Sequence, residues 1–179
     1  MDVVCKIEAL FERRGAVAYQ KPAVGRGASR GVGEGVSALA HALQCAQLAE
    51  WADADRSLVA AALLHDLGGL LDAAADAGVN EELHETRALG LLAAGGFGSA
   101  VLEPIRLHVQ AKRLLANRLN PVERLVFLAQ TQAASALQLA RWDALACHPG
   151  KRTPPLAYYL NLLDDVLRDA RQPPRLMVA

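Results

Sequence analysis

The seven residues Leu58-Val59-Ala60-Ala61-Ala62-Leu63-Leu64 are all apolar and lead directly into His65-Asp66. Such a run belongs inside a fold, and an imidazole beside a carboxylate is costly to bury unless each group finds a partner. A metal ion meets both needs at once, because it takes a neutral ring nitrogen and a carboxylate oxygen together. On a helix, neighbouring side chains diverge by about 100°, so the histidine holds one ion while the aspartate leans toward a second. The plainer alternative is a core histidine bonded to a nearby carbonyl, with the aspartate capping a neighbouring element. The pair alone leaves both open.

The chain of 179 residues reads as one domain, 1–179, long enough to bury a core without staples. Its 19 basic side chains equal its 19 acidic ones. That balance argues against partners such as nucleic acid or an anionic membrane, both of which need a basic surplus. Hydrophobic residues make up 53%, much of it alanine, and no unbroken apolar run approaches the roughly 20 residues of a membrane span. Met1-Asp2-Val3-Val4-Cys5 has no basic segment followed by an apolar one, so no signal peptide is expected. Cys5, Cys45 and Cys147 are far apart and form no Cys-x-x-Cys, which points to free thiols and a reducing cytoplasm.

Val3, Val4, Ile7, Leu10 and Phe11 recur at helical spacing over residues 2–13. Residues 15–35, with six glycines and no periodicity, read as a loop or lid. Without a preceding strand or a following Gly-Lys-Ser/Thr, they make a poor phosphate cradle. A second helix is expected over 36–51. A third starts behind a cap at Asp53 or Asp55 and runs through the His-Asp pair to Gly68-Gly69. A fourth starts at Asn80 and closes at Gly95-Gly96. A fifth covers 100–117, with Pro104 in its first turn, where a missing amide hydrogen costs little. Asn120-Pro121-Val122-Glu123 is a compact start signal for a sixth, expected to run to Cys147. His148-Pro149-Gly150 breaks it, Pro155 opens a last helix to about Ala170, and 173–179 reads as a loose tail. No segment shows strand alternation. The expectation is an all-α bundle of about seven helices.

Four of the five histidines, His41, His65, His84 and His108, fall on four successive predicted helices, each beside apolar neighbours. A single such histidine is ordinary packing. One per helix, with an aspartate beside one of them, is what a bundle needs to build a metal site at its centre.

The order His41…His65-Asp66…His84…His108…Asp143 resembles the six-ligand pattern of HD-domain enzymes that hold two metal ions. The surrounding words Ala38-Leu39-Ala40-His41-Ala42-Leu43-Gln44, His84-Glu85, Leu107-His108-Val109-Gln110-Ala111-Lys112-Arg113 and Arg141-Trp142-Asp143 look like the phosphonate-cleaving branch. Myo-inositol oxygenase is a more distant relative of that branch. The resemblance covers about 34–143. It implies His41, His65 and Asp143 on one metal, His84 and His108 on the other, and Asp66 bridging. Lys112 matches a lysine that grips an anionic substrate group; the alternative is a solvated helix lysine. Glu34 matches an acidic residue near the substrate, and a helix N-terminal carboxylate would look the same. For Asp143 the alternative is a surface residue near a helix end.

The substrate shell departs from the family. Gly31 stands where that branch has tyrosine; Tyr19 takes the catalytic role if the glycine-rich stretch is an insertion. Gly69 replaces a basic residue and Ala140 an arginine, and the segment between Gln130 and Arg141 is shorter.

The resemblance thus implies a mixed-valent di-iron oxygenase acting on a small hydroxylated anion, phosphonate-like or polyol-like, with dioxygen and C–P or C–C cleavage. The alternatives are a metal-dependent phosphohydrolase of a phosphomonoester or nucleotide, and a non-catalytic HD binding module. Histidine and carboxylate ligands also accept manganese, cobalt or zinc.

Overall fold

The computed structural model describes residues 2–19, 35–71 and 81–172, with the backbone alone over 81–86. Among the described residues there are nine helices and no strand, apart from an isolated antiparallel bridge between Ala18 and Ser37. In order they are α1 (Val3–Arg14), α2 (Ala38–Trp51), α3 (Arg56–Leu64), α4 (Leu67–Leu71), α5 (Glu81–Ala94), α6 (Ser99–Leu115), α7 (Pro121–Leu128), α8 (Ala133–Leu145) and α9 (Leu156–Arg171). The all-α bundle is as expected, and the count of seven was low. Most of the glycine-rich stretch (20–34) and the tail (173–179) lie outside the described residues.

The apolar run dictates the architecture. Leu58 through Leu64 are all buried, and α3 packs against α2, α6, α8 and α9. A helix that is apolar all round can only be a core helix. Around it Ile7, Phe11, Leu63, Leu64, Ile105, Tyr159 and Leu163 form the main core. A smaller core sets Phe127 of α7 against Ala111 of α6 and Ala133, Ala136 and Ala140 of α8. Those alanines let α6 and α8 approach closely, which brings His108 and Asp143 together. At the end of α5, a side chain on Gly95 would collide with Val3 at 2.5 Å, and Gly96 has a positive φ of 97°. Glycine meets both demands.

Three expected boundaries are corrected. The third helix does not run through the His-Asp pair to Gly68-Gly69; α3 stops at Leu64, and His65 is its C-cap. The His65 ring takes the carbonyl of Ala62 at 2.9 Å, the acceptor that a continuing helix would give to the Asp66 amide. The helix expected from Asn120 to Cys147 is two helices, broken at 129–132. There Gln130 Nε2 donates to the Val126 carbonyl (3.2 Å), satisfying an end group of α7, while Phe127 pins the returning chain. Pro104 is the sixth residue of α6, in its second turn, so the helix forgoes one backbone bond. The capping box at Asn120 and Glu123 is complete, as the sequence predicts.

Candidate metal centre

Four helices converge on one polar space: His41 comes from α2, His65 from the end of α3, His108 from α6 and Asp143 from α8. All four are buried, none more than 2% exposed. Asp66, whose side chain is 42% exposed, borders the same space.

The histidine tautomers follow from their backbone partners. His41 Nδ1–H donates to the Ala146 carbonyl at 2.8 Å, and His65 Nδ1–H to the Ala62 carbonyl at 2.9 Å. A carbonyl oxygen only accepts, so Nδ1 carries the proton in each ring and the neutral imidazole presents a lone pair at Nε2. The two Nε2 atoms face each other at 3.4 Å. Two lone pairs at that distance repel unless a positive charge lies between them. Carboxylates sharpen the demand. Asp143 Oδ1 is 3.3 Å and Asp66 Oδ2 3.5 Å from His41 Nε2, and Asp66 Oδ2 is 3.2 Å from His65 Nε2. The donor atoms of His41, His65, Asp66 and Asp143 all fall within 4.8 Å of one another, a spacing that suits a metal ion.

Asp143 divides its two oxygens. Oδ1 accepts from the Tyr19 hydroxyl at 3.0 Å, while Oδ2 accepts from His108 Nε2–H at 3.1 Å and pairs with Lys112 Nζ at 2.9 Å. The Tyr19 ring stacks on His41, with centroids 3.6 Å apart and planes 10° from parallel. The backbone near the bridge sets this placement, since Tyr19 N–H donates to Val36 O and Ala38 N–H to Val17 O.

The electrostatics show what the pocket attracts. Desolvation opposes ionisation of Asp143 and Asp66. It is outweighed by His108, His41, His65 and Lys112 around Asp143 and by His65 and His41 around Asp66, so both carboxyls lie well below the usual range. Burial likewise works against a charged His41, yet hydrogen bonds to Asp143 and Asp66 hold its pKa far above that of an ordinary imidazole. The pocket draws positive charge onto Nε2. Two carboxylates and two imidazole nitrogens converge on one space, and a cation there would take the place of the protons, so the residues fit a metal. Burial and the two aspartates push the Tyr19 phenol upward, which keeps it a neutral donor.

Of the residues expected at the site, the structure thus gathers His41, His65, Asp66, His108, Asp143, Lys112 and Tyr19. Glu34 and the side chain of His84 lie outside the described residues. Asp66 sits with the His41–His65 half, while Asp143 touches both that half and His108. The exposed Gly69 on α4 has open space where a side chain would project. Two neighbours were not singled out in the sequence. Gln44 holds the loop after α8 by donating to the His148 carbonyl and accepting from its amide, both at 3.0 Å, which fixes the Ala146 carbonyl against His41. Cys45 lies 3.5 Å from His41 Nε2. Its place four residues after His41, on the same helix face, was the available signal.

No family model matches the chain. Over 88 residues, 47% of its length, it is 44% identical to a hydroxymethylphosphonate dioxygenase of Gimesia maris. The chain is a distant homologue of that dioxygenase. The alignment spans 43% of the relative, so the chain covers less than half of that enzyme's length. A second relative, an uncharacterised protein of Acanthamoeba polyphaga mimivirus, is 28% identical over 170 residues, 80% of this chain and 78% of the other. The resemblance to phosphonate-cleaving oxygenases drawn from the histidine pattern is therefore borne out. Among the described residues no helix is long and apolar enough to cross a membrane.

Proposed function

We propose that the chain is an HD-type metalloenzyme with a two-metal centre, an iron oxygenase acting on a small hydroxylated anion such as a phosphonate or polyol. The observation that carries this reading is the pair of lone-pair-bearing Nε2 atoms facing each other at 3.4 Å, flanked by two ionised carboxylates. The likeness to hydroxymethylphosphonate dioxygenase supports oxidation as the reaction class.

His41, His65, Asp66 and Asp143 would hold one ion, with His84 and His108 toward a second. Bound there, a redox-active metal supplies the electron transfer that activation of dioxygen requires. The chain's own residues prepare the rest. Lys112, 17% exposed in its side chain, pairs with Asp143 and sets a fixed positive charge beside the site, where an anionic substrate group would be drawn. Tyr19 covers His41 with its ring, excludes water from that face and donates its phenolic proton to Asp143. The buried setting strengthens each of these charged contacts relative to water. The three free thiols suit a reducing cytoplasm.

Gly69 favours the second reading, a phosphohydrolase in which the same ions would polarise a phosphoryl group. With no basic side chain at that position, the substrate shell is not that of the oxygenase branch. Protein loaded with iron should consume oxygen with a 1-hydroxyalkylphosphonate or polyol and give a mixed-valent signal by electron paramagnetic resonance. If it gives neither, and instead releases phosphate from phosphomonoesters without oxygen, the oxygenase reading is lost.

A further inference from the structure

Two groups of potential ligands share the His41–His65 edge. Asp66 and Asp143 complete one, and Cys45 completes the other. Cys45 follows His41 by four residues on α2, so both side chains leave the same face of one helix. The thiol is fully buried, and its sulfur lies 3.5 Å from His41 Nε2.

Two of the three edges of this group have the lengths of a coordination polyhedron, and the third lies within 4.8 Å. In a tetrahedral site with metal–nitrogen bonds of about 2.0–2.1 Å and a metal–sulfur bond of about 2.3 Å, the N···N edge is about 3.3–3.4 Å and the N···S edge about 3.5–3.6 Å. The corresponding separations here are 3.4 Å and 3.5 Å. Both rings already turn Nε2 inward, because their Nδ1 atoms are committed to backbone carbonyls.

We propose that Cys45 is a metal ligand, and that His41, His65 and Cys45 hold one borderline or thiophilic divalent ion, such as cobalt, zinc or ferrous iron. This rests on the reading of the pocket as a metal centre and adds a sulfur corner to its nitrogen and oxygen donors. As the metal–sulfur bond forms, the thiol proton leaves to buffer and the sulfur binds as thiolate. Any proton that His41 Nε2 holds against Asp143 and Asp66 leaves to buffer as well, so that the nitrogen binds through its lone pair. A thiolate shifts selectivity toward softer ions than a histidine–carboxylate set would choose.

The full chain, stripped with chelator and reloaded anaerobically with cobalt(II), tests this without reference to turnover. The expected result is bound cobalt with a near-ultraviolet sulfur-to-cobalt charge-transfer band. The band should vanish in Cys45→Ala and persist in Cys147→Ala, which removes the other thiol near His41. X-ray absorption at the cobalt edge of the unaltered protein, which needs no variant to fold, should show a sulfur scatterer at about 2.3 Å. Cobalt bound with no sulfur signal, or a band that survives Cys45→Ala or disappears in Cys147→Ala, overturns the sulfur ligand and leaves the metal centre standing. Failure to bind cobalt at all overturns both.

Discussion

Replacing Asp143 with asparagine tests whether one carboxylate holds this pocket together. Its two oxygens face Tyr19 at 3.0 Å, His108 at 3.1 Å, Lys112 at 2.9 Å and His41 at 3.3 Å, and Asp143 itself is only 2% exposed. The amide keeps the shape and one acceptor. It sets an NH2 group against at least one donor and removes the charge with which Lys112 pairs. Removing one partner from a buried ion pair costs about 3–5 kcal/mol, and a shape-conserving change belongs near the lower end. For a chain of this length each kcal/mol moves Tm by about 2–4 °C, so a fall of about 6–12 °C is expected in chelator-treated protein. Thermal unfolding followed by circular dichroism measures it. The pH dependence adds a second check. The folded-state pKa of Asp143 is depressed, so its stabilisation is fully present above its unfolded value of about 3.9 and is lost as pH falls through the lower folded value. The asparagine variant should lack that part of the acid limb. A Tm within about 2 °C of the unaltered protein, less than one kcal/mol on the same scale, would refute this account of the pocket.

Other outcomes follow from the same geometry. Adding manganese, cobalt or ferrous iron at about a hundred times the dissociation constant should stabilise by about 2.7 kcal/mol; a His65→Ala variant should show no such rise in Tm. At high pH, Tyr159 gives the opposite sign to Asp143. Burial and its hydrogen bond to Glu50 (2.9 Å) raise its pKa, so its contribution is intact below the unfolded value of about 10 and is lost as pH climbs through the folded one. Glu50→Gln should lower the pH at which the phenol ionises, measured by ultraviolet titration. Asn120→Ala removes both bonds to the α7 amides and should cost about 1 kcal/mol; no change in denaturant midpoint would mean that the capping box contributes nothing.

The helices were legible where local chemistry is decisive. The Asn120 box, the Asp55 cap and the apolar run of α3 need only their neighbours in sequence. Residues 129–132 show why the α7–α8 break was not. They contain no glycine or proline, and what turns the chain there is Phe127 packing against alanines of two other helices. The histidines and aspartates of the centre could be found because their types are rare on apolar faces. The Ala146 carbonyl that sets the His41 tautomer could not, since every residue has a carbonyl and only the fold selects one. Tyr19 and Asp143 are 124 positions apart, and no spacing rule connects them.

That separation bears on the order in which the molecule assembles. The bond from His41 to Ala146 spans 105 residues and that from Tyr19 to Asp143 spans 124, while the helices bearing them close bonds only a few residues apart. Local contacts form quickly and distant ones slowly, because the entropy of the intervening chain must first be overcome. Refolding chains should therefore recover their helical signal before they can capture an ion. An ion supplied late in refolding meets a nearly finished protein, whereas one supplied early meets scattered ligands with no geometry to offer.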